Sequence, residues 1–245
     1  MSSRAAGAAA GVGSRTAVVT GASRGIGFAV ASALVSCNIR VALVARTADA
    51  LAHAAKSLGP AAHPVVADLR DADAVHSALA EIEAWAGLPD ILVSCAGVFD
   101  VAPIGTFSPE ALAATLDSNL IGPFRLVHAY APRMRVRGSG HVVTVGSVAD
   151  RVAYAGNAAY ASSKFGARAL HEVLRTELRG SGVRVSLVSP GPVDTTIWDP
   201  IDPDNRPGFP RREQMLAASD IAEAVRWVVT QPTRVNVDEL RLTHQ

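Results

Sequence analysis

The sequence predicts a doubly wound α/β domain, in which helices cover both faces of a central parallel sheet. Short β-branched segments alternate along the chain with longer stretches rich in Ala and Leu. The short segments are almost continuously apolar, which is typical of strands buried on both faces. Neither a repeat nor a linker interrupts the alternation. One domain is therefore predicted over residues 15–245, preceded by a disordered tail over residues 1–14.

Six segments have the length and composition of strands, and the residues between them have helical character. The predicted strands are residues 16–20, 40–45, 63–67, 90–94, 141–146 and 184–189. Asp71 is the predicted N-cap of one helix, and Ser108 followed by Pro109 begins another. Asn38 ends the first helix, where a left-handed residue is required.

The composition of the 245 residues is that of a globular enzyme, with 49% apolar and 18% charged residues and a net charge of +1. This charge balance does not favour binding to nucleic acid or an anionic membrane. No apolar run reaches a membrane span, and the N-terminal segment lacks the core of a signal peptide. Cys37 and Cys95 suit reduced thiols, and the seven histidines form no metal-ligand pairing. We expect a cytoplasmic protein without a metal site.

The segment "TGASRGIG" directly follows the first predicted strand and opens the first helix. Gly21, Gly25 and Gly27 allow a tight turn, close approach of a pyrophosphate and close packing of helix on strand. The spacing is GxxxGxG rather than GxGxxG. Its position between strand and helix nevertheless predicts a dinucleotide site of the Rossmann type.

In "NAAYASSKFGARAL", residues 157–170, Tyr160 and Lys164 stand four residues apart on one face of a predicted helix. One interpretation is structural: the tyrosine packs on the core and the lysine extends past it to solvent. The other is catalytic, with the ammonium group lowering the pKa of the phenol. The pair alone does not decide between them.

Further motifs make the chain resemble the short-chain dehydrogenase/reductase family from about Thr16 to near the C-terminus. Each motif is common alone, but their order and spacing together are specific. The matching features are "TGASRGIG", Asp68 after the third strand, Asn119 in "LDSNLIGPF", Ser147 in "VGSVA", Tyr160-x-x-x-Lys164 and "PGPVDT" at 190–195. The resemblance implies a single-domain Rossmann fold that transfers a hydride between a nicotinamide cofactor and a carbonyl or alcohol substrate.

The resemblance also implies a role for each catalytic residue. Tyr160 is the general acid in reduction and the general base in oxidation. A free phenol titrates near pH 10, so base catalysis at pH 7 requires a pKa shift of about three units. Lys164 supplies the positive charge for that shift and binds the nicotinamide ribose. Ser147 donates to the substrate oxygen, and Asn119 kinks its helix and holds a water that links the lysine to solvent.

The cofactor, by the same resemblance, lies over loops at the carboxyl ends of the strands. Asp68 is placed near the adenine amino group, with Leu69 on the ring. The backbone of Val193 and the hydroxyl of Thr195 fix the nicotinamide carboxamide. The complete predicted set is Gly21, Ser23, Arg24, Gly25, Ile26, Gly27, Arg46, Asp68, Leu69, Ala96, Gly97, Tyr160, Lys164, Pro190, Gly191, Val193 and Thr195.

The charge at the end of the second strand predicts which nicotinamide cofactor binds. NAD-preferring relatives place a carboxylate there to accept from both ribose hydroxyls. This chain has Ala45 and then Arg46, and the first carboxylate is Asp49 in the next helix. Arg46 and Arg24 offer charge-assisted hydrogen bonds to a 2′-phosphate. NADP(H) is therefore predicted, the alternative being that both arginines are solvated surface residues.

Residues 194–217 are rich in Pro and Asp and have no strong period, so a mobile substrate lid is predicted there. Asp194 is expected to be a helix N-cap. Aromatic residues favour an uncharged alcohol or ketone, while Arg151 leaves an acid open. Ordinary packing is the alternative for each pocket candidate. The candidates for the substrate pocket are Ser147, Phe99, Tyr154, Asn157 and Trp198, with Phe209 and Arg151 as further possibilities.

The chain departs from the family at two places. Ser94-Cys95 replaces the usual pair of asparagines before Ala96-Gly97, which removes amide hydrogen bonds to the sheet. The ending "VNVDELRLTHQ" lacks the glycine-rich close common in the family. This altered C-terminal ending affects the prediction of the second interface of a tetramer.

Family members commonly pair the two long helices that correspond to about 108–136 and 157–180, so a homodimer or homotetramer is predicted. The alternative function is a non-catalytic dinucleotide-binding sensor on the same fold. Such a protein is expected to have lost Tyr160, Lys164 or Ser147, and this chain has all three.

Overall fold

A computed structural model describes residues 15–245, which form one parallel sheet of seven strands with helices on both faces. The predicted doubly wound α/β fold is thereby confirmed. The predicted tail over residues 1–14 lies outside the described residues. In the sheet the strand order is β3-β2-β1-β4-β5-β6-β9. These strands are β1 Thr16–Thr20, β2 Arg40–Ala45, β3 Ala62–Val66, β4 Ile91–Ser94, β5 Gly140–Val145, β6 Val183–Pro190 and β9 Glu239–Leu242; β7 Val193–Asp194 and β8 Leu216–Ala217 pair separately.

Seven α-helices of the described region connect or flank the strands, and two of them are joined by a π-helical turn. The helices are α1 Gly25–Ser36, α2 Ala48–Leu58, α3 Ala72–Ala86, α4 Pro109–Leu116, α5 Gly122–Arg137, α6 Ala158–Glu177 and α7 Ala218–Thr230, with the π turn at Asp117–Ile121 between α4 and α5. The long helix predicted over 108–136 is therefore interrupted at Asn119, where a kink was expected.

The helix ends confirm the predicted capping residues. The Asp71 carboxylate accepts from two backbone N–H groups of α3, at 2.8 and 3.2 Å. The Ser108 hydroxyl accepts from the N–H of Ala111 at 3.1 Å, with Pro109 as the first residue of α4. Asn38 has φ 59 and follows α1 in the left-handed region. The Asp71 and Ser108 side chains satisfy backbone groups that a helix end leaves unpaired, and the N–H of Asn38 donates to Val35 O at 2.9 Å.

The six predicted strands match β1 to β6 to within one residue at each end. The seventh, β9, was not predicted, because its sequence Glu-Leu-Arg-Leu alternates charged and apolar residues over only four positions. An edge strand has one neighbour and needs little apolar surface. The prediction of Asp194 as a helix N-cap is wrong. Asp194 lies in β7, and its carboxylate accepts from Arg212 at 2.6 Å.

Two apolar layers hold the helices on the sheet. Leu34 of α1 and Ile221 and Val225 of α7 are fully buried on one face, and Leu126 and Tyr130 of α5 are fully buried on the other. Burying an apolar side chain of this size contributes roughly 1.5–3 kcal/mol. Because all seven strands are parallel, their carboxyl ends lie at one edge of the sheet, where ligands bind in open α/β folds. No helix within residues 15–245 is both long and apolar enough to cross a membrane.

A buried histidine lies within the sheet, away from that edge. His141 in β5 is 1% exposed, and its Nε2 lies 2.8 Å from the Ser186 hydroxyl. Burial, aided by Arg184 and Arg15, lowers the pKa of His141 to about 3. A histidine in an unfolded chain titrates near pH 6.5. The neutral ring therefore stabilises the fold fully above pH 6.5, and this contribution is lost as the pH falls from 6.5 toward 3.

We expect the free energy of unfolding to fall between pH 7.5 and 5 by about 2 kcal/mol more in the wild type than in His141→Gln. Urea unfolding of both proteins at the two pH values measures the difference. His53→Gln, which changes an exposed histidine, serves as the matched control and should respond to pH as the wild type does. If the wild type and His141→Gln lose stability equally, His141 does not cause the acid sensitivity.

Candidate active site

The glycine loop forms one wall of a cleft at the carboxyl edge of the sheet. Gly21 has φ 67, and a Cβ there would lie 2.9 Å from the Cα of Ala96 on the neighbouring loop. A Cβ on Gly27 would lie 2.4 Å from the carbonyl oxygen of Gly21. Arg24 at the N-cap of α1 makes no side-chain cap bond, so the first N–H groups of α1 remain available. Glycine spacing and helix terminus together fit the pyrophosphate of a dinucleotide.

The cleft has a volume of about 320 Å³ and brings many of the predicted cofactor residues together. Tyr160 and Lys164 lie outside its lining. Pro190, Gly191 and Val193 also lie outside it but form the loop that carries Thr195 into it. The Gly191 N–H donates to Leu242 O at 2.7 Å, so β9 supports this loop. The predicted residues that line the cleft are Gly21, Ser23, Arg24, Gly25, Ile26, Gly27, Arg46, Asp68, Leu69, Ala96, Gly97 and Thr195.

The Ser94-Cys95 replacement is accommodated by a threonine that the sequence did not point out. The Thr20 hydroxyl at the end of β1 accepts from the N–H groups of Cys95 and Ala96, both at 3.0 Å. The Ser94 hydroxyl is buried and has no hydrogen-bond partner within residues 15–245. The loop after β4 is therefore held from β1 by one side chain.

Three arginines and one carboxylate lie at the end of the cleft next to β2. Arg24 and Arg46 are exposed, and neither forms an ion pair with another residue of the described region. Arg70 holds both oxygens of Asp68 at 2.6–3.0 Å. The hydrogen bond from Arg70 is the main cause that lowers the pKa of Asp68, and the charge of Arg46 adds to it. This role of Arg70 was not predicted from the sequence, although Arg70 lies only two positions after Asp68.

Asn119, in the π turn, links the loop after β4 to α6, the helix that carries Tyr160 and Lys164. Its Oδ1 accepts from the N–H of Val98 at 2.7 Å, and its Nδ2 donates to Val98 O at 2.9 Å and to the Ser163 hydroxyl at 3.0 Å. That hydroxyl donates in turn to the carbonyl of Tyr160 at 2.7 Å. A Cβ on Gly97 would lie 3.2 Å from the Asn119 Oδ1. The side chain of Asn119 thus has its hydrogen bonds within the protein.

Tyr160 and Lys164 lie on one face of α6, as their spacing predicted. Lys164 is 8% exposed, and its Nζ lies 5.6 Å from the centre of the Tyr160 ring. The same Nζ donates to the carbonyl of Val145 at 3.1 Å. Burying an ammonium group that forms few hydrogen bonds costs free energy unless a group of opposite charge lies nearby. The arrangement differs from the structural alternative, in which the lysine extends to solvent.

Ser147 follows β5 at the carboxyl edge and is buried. Its Oγ accepts from the N–H of Ala149 at 3.1 Å in the short 3-10 turn Val148–Asp150. This bond uses a lone pair of the hydroxyl and leaves its proton free. Because that turn packs against α6, a free hydroxyl donor lies near the helix that carries Tyr160 and Lys164.

Aromatic side chains cover the Tyr160 side of the site. The Phe99 ring packs edge-on against Tyr160 at 4.8 Å and against Trp198 at 5.0 Å. Phe209 contacts Trp198 at 6.2 Å, and the indole N–H of Trp198 donates to Val193 O at 3.0 Å. The segment 194–217, which the sequence predicted as a lid, therefore contains a small apolar cluster that Trp198 attaches to the loop 190–195.

The remaining substrate candidates have different surroundings. Tyr154 is exposed, whereas Asn157 is buried with an Oδ1 that has no partner in the described region. Arg151 binds Asp150 at 2.7 Å and Glu239 at 2.6 Å. Two carboxylates hold its Nε and Nη1 and offset its charge, whereas its Nη2 is buried without a partner in the described region.

Cys95 borders the cleft but does not offer a nucleophile. Burial raises the pKa of its thiol to about 12, although the nearby Lys164 opposes the shift. At neutral pH the thiol is therefore protonated. Within residues 15–245, no group of three or more His, Cys, Asp and Glu side chains is arranged to hold a metal ion.

Comparisons with known proteins agree with this geometry. A family model described as short chain dehydrogenase matches residues 15–206. The chain is 36% identical over 233 residues to an uncharacterised oxidoreductase of Mycobacterium tuberculosis strain H37Rv, and the match covers 94% of this chain and 91% of that protein. It is 34% identical over 232 residues to the glycine betaine reductase of Emericella nidulans, covering 92% of this chain but only 18% of that protein.

A solved structure has the same fold over nearly the whole chain. The alcohol dehydrogenase of the archaeon Thermococcus sibiricus, complexed with 5-hydroxy-NADP, is 30% identical with a TM-score of 0.84. The match covers 95% of this chain and 97% of that chain. The similarity therefore includes the carboxyl edge of the sheet and the helix that carries Tyr160.

Proposed function

The chain belongs to the short-chain dehydrogenase family and is an oxidoreductase, and from this premise we propose that it transfers a hydride between NADP(H) and a carbonyl or alcohol substrate. The observation that carries the proposal is the buried Lys164 beside the ring of Tyr160, close to the turn that begins at Ser147. The nicotinamide, when bound, supplies or accepts the hydride. The protein groups hold the substrate and move its proton.

Tyr160 donates its phenolic proton to the carbonyl oxygen in reduction and removes the alcohol proton in oxidation. The buried ammonium of Lys164 stabilises the phenolate that the first process leaves and the second requires. Its bond to Val145 O keeps one N–H engaged and leaves two for the ribose hydroxyls. The Ser147 hydroxyl donates a hydrogen bond to the substrate oxygen, where negative charge develops.

Asn119 has a positioning role in this proposal. Its amide connects the loop at Val98 to Ser163, whose hydroxyl bonds to the Tyr160 carbonyl. The chain of bonds fixes the first turn of α6 relative to the wall of the cleft. We propose in addition that a water held at Asn119 links Lys164 to solvent.

The preference for NADP(H) is supported by charge. Arg24 and Arg46 are exposed at the β2 end of the cleft and have no protein carboxylate bound to them in the described region. Asp68 is held by Arg70, so the one acidic side chain there is already paired. A 2′-phosphate adds negative charge at this end, where two arginine forks are available. The structural relative from Thermococcus sibiricus binds an NADP derivative.

The aromatic cluster of Phe99, Trp198 and Phe209 supports an uncharged alcohol or ketone as the substrate class. The pairing of Arg151 with Asp150 and Glu239 makes an acid a poorer fit. The substrate would lie beside Tyr160 and this cluster, with its reacting oxygen toward Ser147.

The proposal is tested by NADPH oxidation against a panel of aldehydes and ketones, with direct titration of NADPH and NADH alongside. We expect turnover of at least one uncharged carbonyl and tighter binding of NADPH than of NADH. Tight NADPH binding without turnover of any panel member would overturn the proposal in favour of a dinucleotide-binding sensor.

We further propose that the protein forms a homodimer or homotetramer through α5 and α6. A cavity of about 720 Å³ opens between these helices. Exposed apolar side chains on this face exceed what a solvated helix pair normally shows, and such patches mark interaction surfaces. The exposed apolar side chains that line this cavity are Phe124, Val136, Leu170 and Val173.

Val173→Glu is expected to shift the protein toward smaller species, because it places a charge within the proposed interface. Light scattering at micromolar concentration measures the change. Val66→Glu is the matched control, since Val66 is 51% exposed at the β3 edge of the sheet and Val173 is 54% exposed on α6. A monomeric wild type, or equal effects of the two substitutions, would contradict this interface.

A further inference from the structure

Behind Ser147 lies a buried carboxylate that the proposed mechanism does not use. Asp150 ends the 3-10 turn that Ser147 begins, is 1% exposed, and donates its own N–H to the carbonyl of Ser147 at 2.9 Å. Its side chain points away from solvent, so its partners are all protein groups. A carboxylate buried to this degree is retained only where hydrogen bonds and opposite charges surround it.

Each oxygen of Asp150 contacts a different structural element. Oδ2 accepts from the Ser189 hydroxyl at 2.5 Å, and Ser189 is the last residue before the loop 190–195. Oδ1 accepts from Arg151 Nε at 2.7 Å and lies 3.8 Å from Arg168 Nη1. Arg168 lies one turn after Lys164 on α6. The carboxylate thus connects the Ser147 turn, the nicotinamide loop and the helix that carries the tyrosine and lysine.

The residue before Ser147 leaves room for this carboxylate. A Cβ on Gly146 would lie 2.7 Å from Asp150 Oδ2 and 2.8 Å from Ser189 Oγ. The φ of Gly146 does not lie in the left-handed region, so glycine is required here for space. The Gly146 N–H also donates to Val188 O at 2.8 Å. Gly146, the residue bonded to Ser147, is therefore packed directly on the Asp150–Ser189 pair.

The network continues to the edge of the sheet. Arg151 Nη1 binds Glu239 at 2.6 Å, and Arg168 lies 3.5 Å from the same carboxylate. Two arginines thus lie between the carboxylates of Asp150 and Glu239, and Arg168 also lies 4.0 Å from Glu172. Because Glu239 belongs to β9, the network also reaches the strand that holds Gly191.

We propose that Asp150 is a positioning residue for hydride transfer, which sets the Ser147 hydroxyl relative to the nicotinamide loop and α6. The inference rests on the proposed oxidoreductase function. Asp150 touches neither the cleft nor the space beside Tyr160, so its effect passes through Ser147 and Ser189. Misplacement of reacting groups by about 1 Å can lower a rate about a hundredfold.

Asp150→Asn tests the proposal with little change in volume. Ser189 and Arg151 donate to different oxygens of Asp150, and an amide has an accepting oxygen at only one of these two positions, so it cannot accept from both. We expect kcat per NADPH-binding site to fall by about ten- to a hundredfold while the Kd for NADPH stays within about twofold. With NADPH deuterated at the transferred position, the isotope effect on kcat should rise, because hydride transfer becomes slower than the other steps.

Asp73→Asn is the control, since it makes the same chemical change at an exposed carboxylate in the first turn of α3, outside the network. We expect its kcat and isotope effect to remain near those of the wild type. Counting only sites that bind NADPH removes the contribution of unfolded protein. A loss of folded protein alone would leave the isotope effect of Asp150→Asn unchanged and would overturn the positioning role.

Two further substitutions, Gly146→Ala and Asp150→Ala, test the proposal without introducing an amide at position 150. Gly146→Ala should lower kcat in the native chain, because its Cβ meets the Asp150 carboxylate. In the Asp150→Ala chain the same substitution should cost less, since the carboxylate is gone; the two effects are then not multiplicative. Multiplicative losses would overturn the proposal.

The outcomes separate this inference from the proposed function. An active wild type whose kcat is unaffected by Asp150→Asn overturns the role of Asp150 and leaves the oxidoreductase function intact. A wild type that binds NADPH but turns over no carbonyl overturns the proposed function and the role of Asp150 with it.

Discussion

Tyr160→Phe is expected to lower kcat by about two to four orders of magnitude while the Kd for NADPH stays nearly unchanged. The substitution removes only the phenolic oxygen. The ring keeps its edge contact with Phe99 at 4.8 Å and its place near Lys164, whose Nζ lies 5.6 Å from the ring centre. A proton donor acts in the transition state rather than in cofactor binding. Therefore kcat and kcat/KM should fall together.

The measurement is steady-state NADPH oxidation with a carbonyl substrate, beside a fluorescence titration of NADPH. Tyr130→Phe is the matched control. Tyr130 is fully buried in α5, and its hydroxyl has no hydrogen-bond partner among the residues that the structure describes. Removing that oxygen should change kcat by less than about twofold. If Tyr160→Phe keeps more than about a tenth of the wild-type activity, Tyr160 is not the proton donor.

The parts of the fold that follow a local pattern were predictable from the sequence. Apolar runs identified β1 to β6 because strands buried on both faces carry a continuous signal. Asp71 and Ser108 cap their helices because capping depends on neighbours within three residues. By contrast, β9 has four residues and half of them are charged. Its place in the sheet depends on pairing with β6, which is distant in sequence.

In the candidate site, too, local features were predictable from the sequence and contacts between distant residues were not. The spacing of Tyr160 and Lys164 placed both on one face of α6, and the glycine loop located the cleft. The network around Asp150 could not be predicted, because Asp150 and Ser189 are 39 positions apart. Asp194 was misassigned for a related reason. Its local sequence suits an N-cap, but the contact with Arg212, 18 positions away, holds it in a short strand.

Arg46→Asp is expected to reverse or strongly reduce the preference for NADPH over NADH. Arg46 follows β2, is exposed, and lines the cleft together with Arg24. The substitution replaces an attraction for the 2′-phosphate with a repulsion. The new carboxylate also offers an acceptor for the ribose hydroxyls of NADH. The loss should therefore fall mainly on NADPH, with NADH binding unchanged or improved.

The size of the shift follows from the contacts involved. Charge-assisted hydrogen bonds contribute roughly 1.5–3 kcal/mol each. The ratio of NADPH to NADH preference should therefore move by about ten- to a hundredfold or more, since about 1.4 kcal/mol corresponds to a factor of ten. Arg46→Ala removes the attraction without adding the repulsion and should fall between the wild type and Arg46→Asp.

Arg234→Asp separates this effect from a change in total charge. Arg234 is exposed and lies outside the residues that line the cleft. The substitution changes the net charge by the same amount as Arg46→Asp. It should alter the ratio of the two cofactors by less than about twofold, because a distant surface charge is largely screened at physiological salt.

Ionic strength gives an independent measure of the same charge. The apparent affinity for NADPH should weaken as salt is raised, and that for NADH much less, because the 2′-phosphate carries the difference in charge. The salt dependence of NADPH binding should shrink in Arg46→Ala and shrink further in Arg46→Asp, where the new carboxylate offsets the charge of Arg24. KM and Kd for both cofactors at two salt concentrations provide the comparison. Equal losses for both cofactors, or a wild type that prefers NADH, would mean that Arg46 is a solvated surface residue and that NADP(H) is the wrong cofactor.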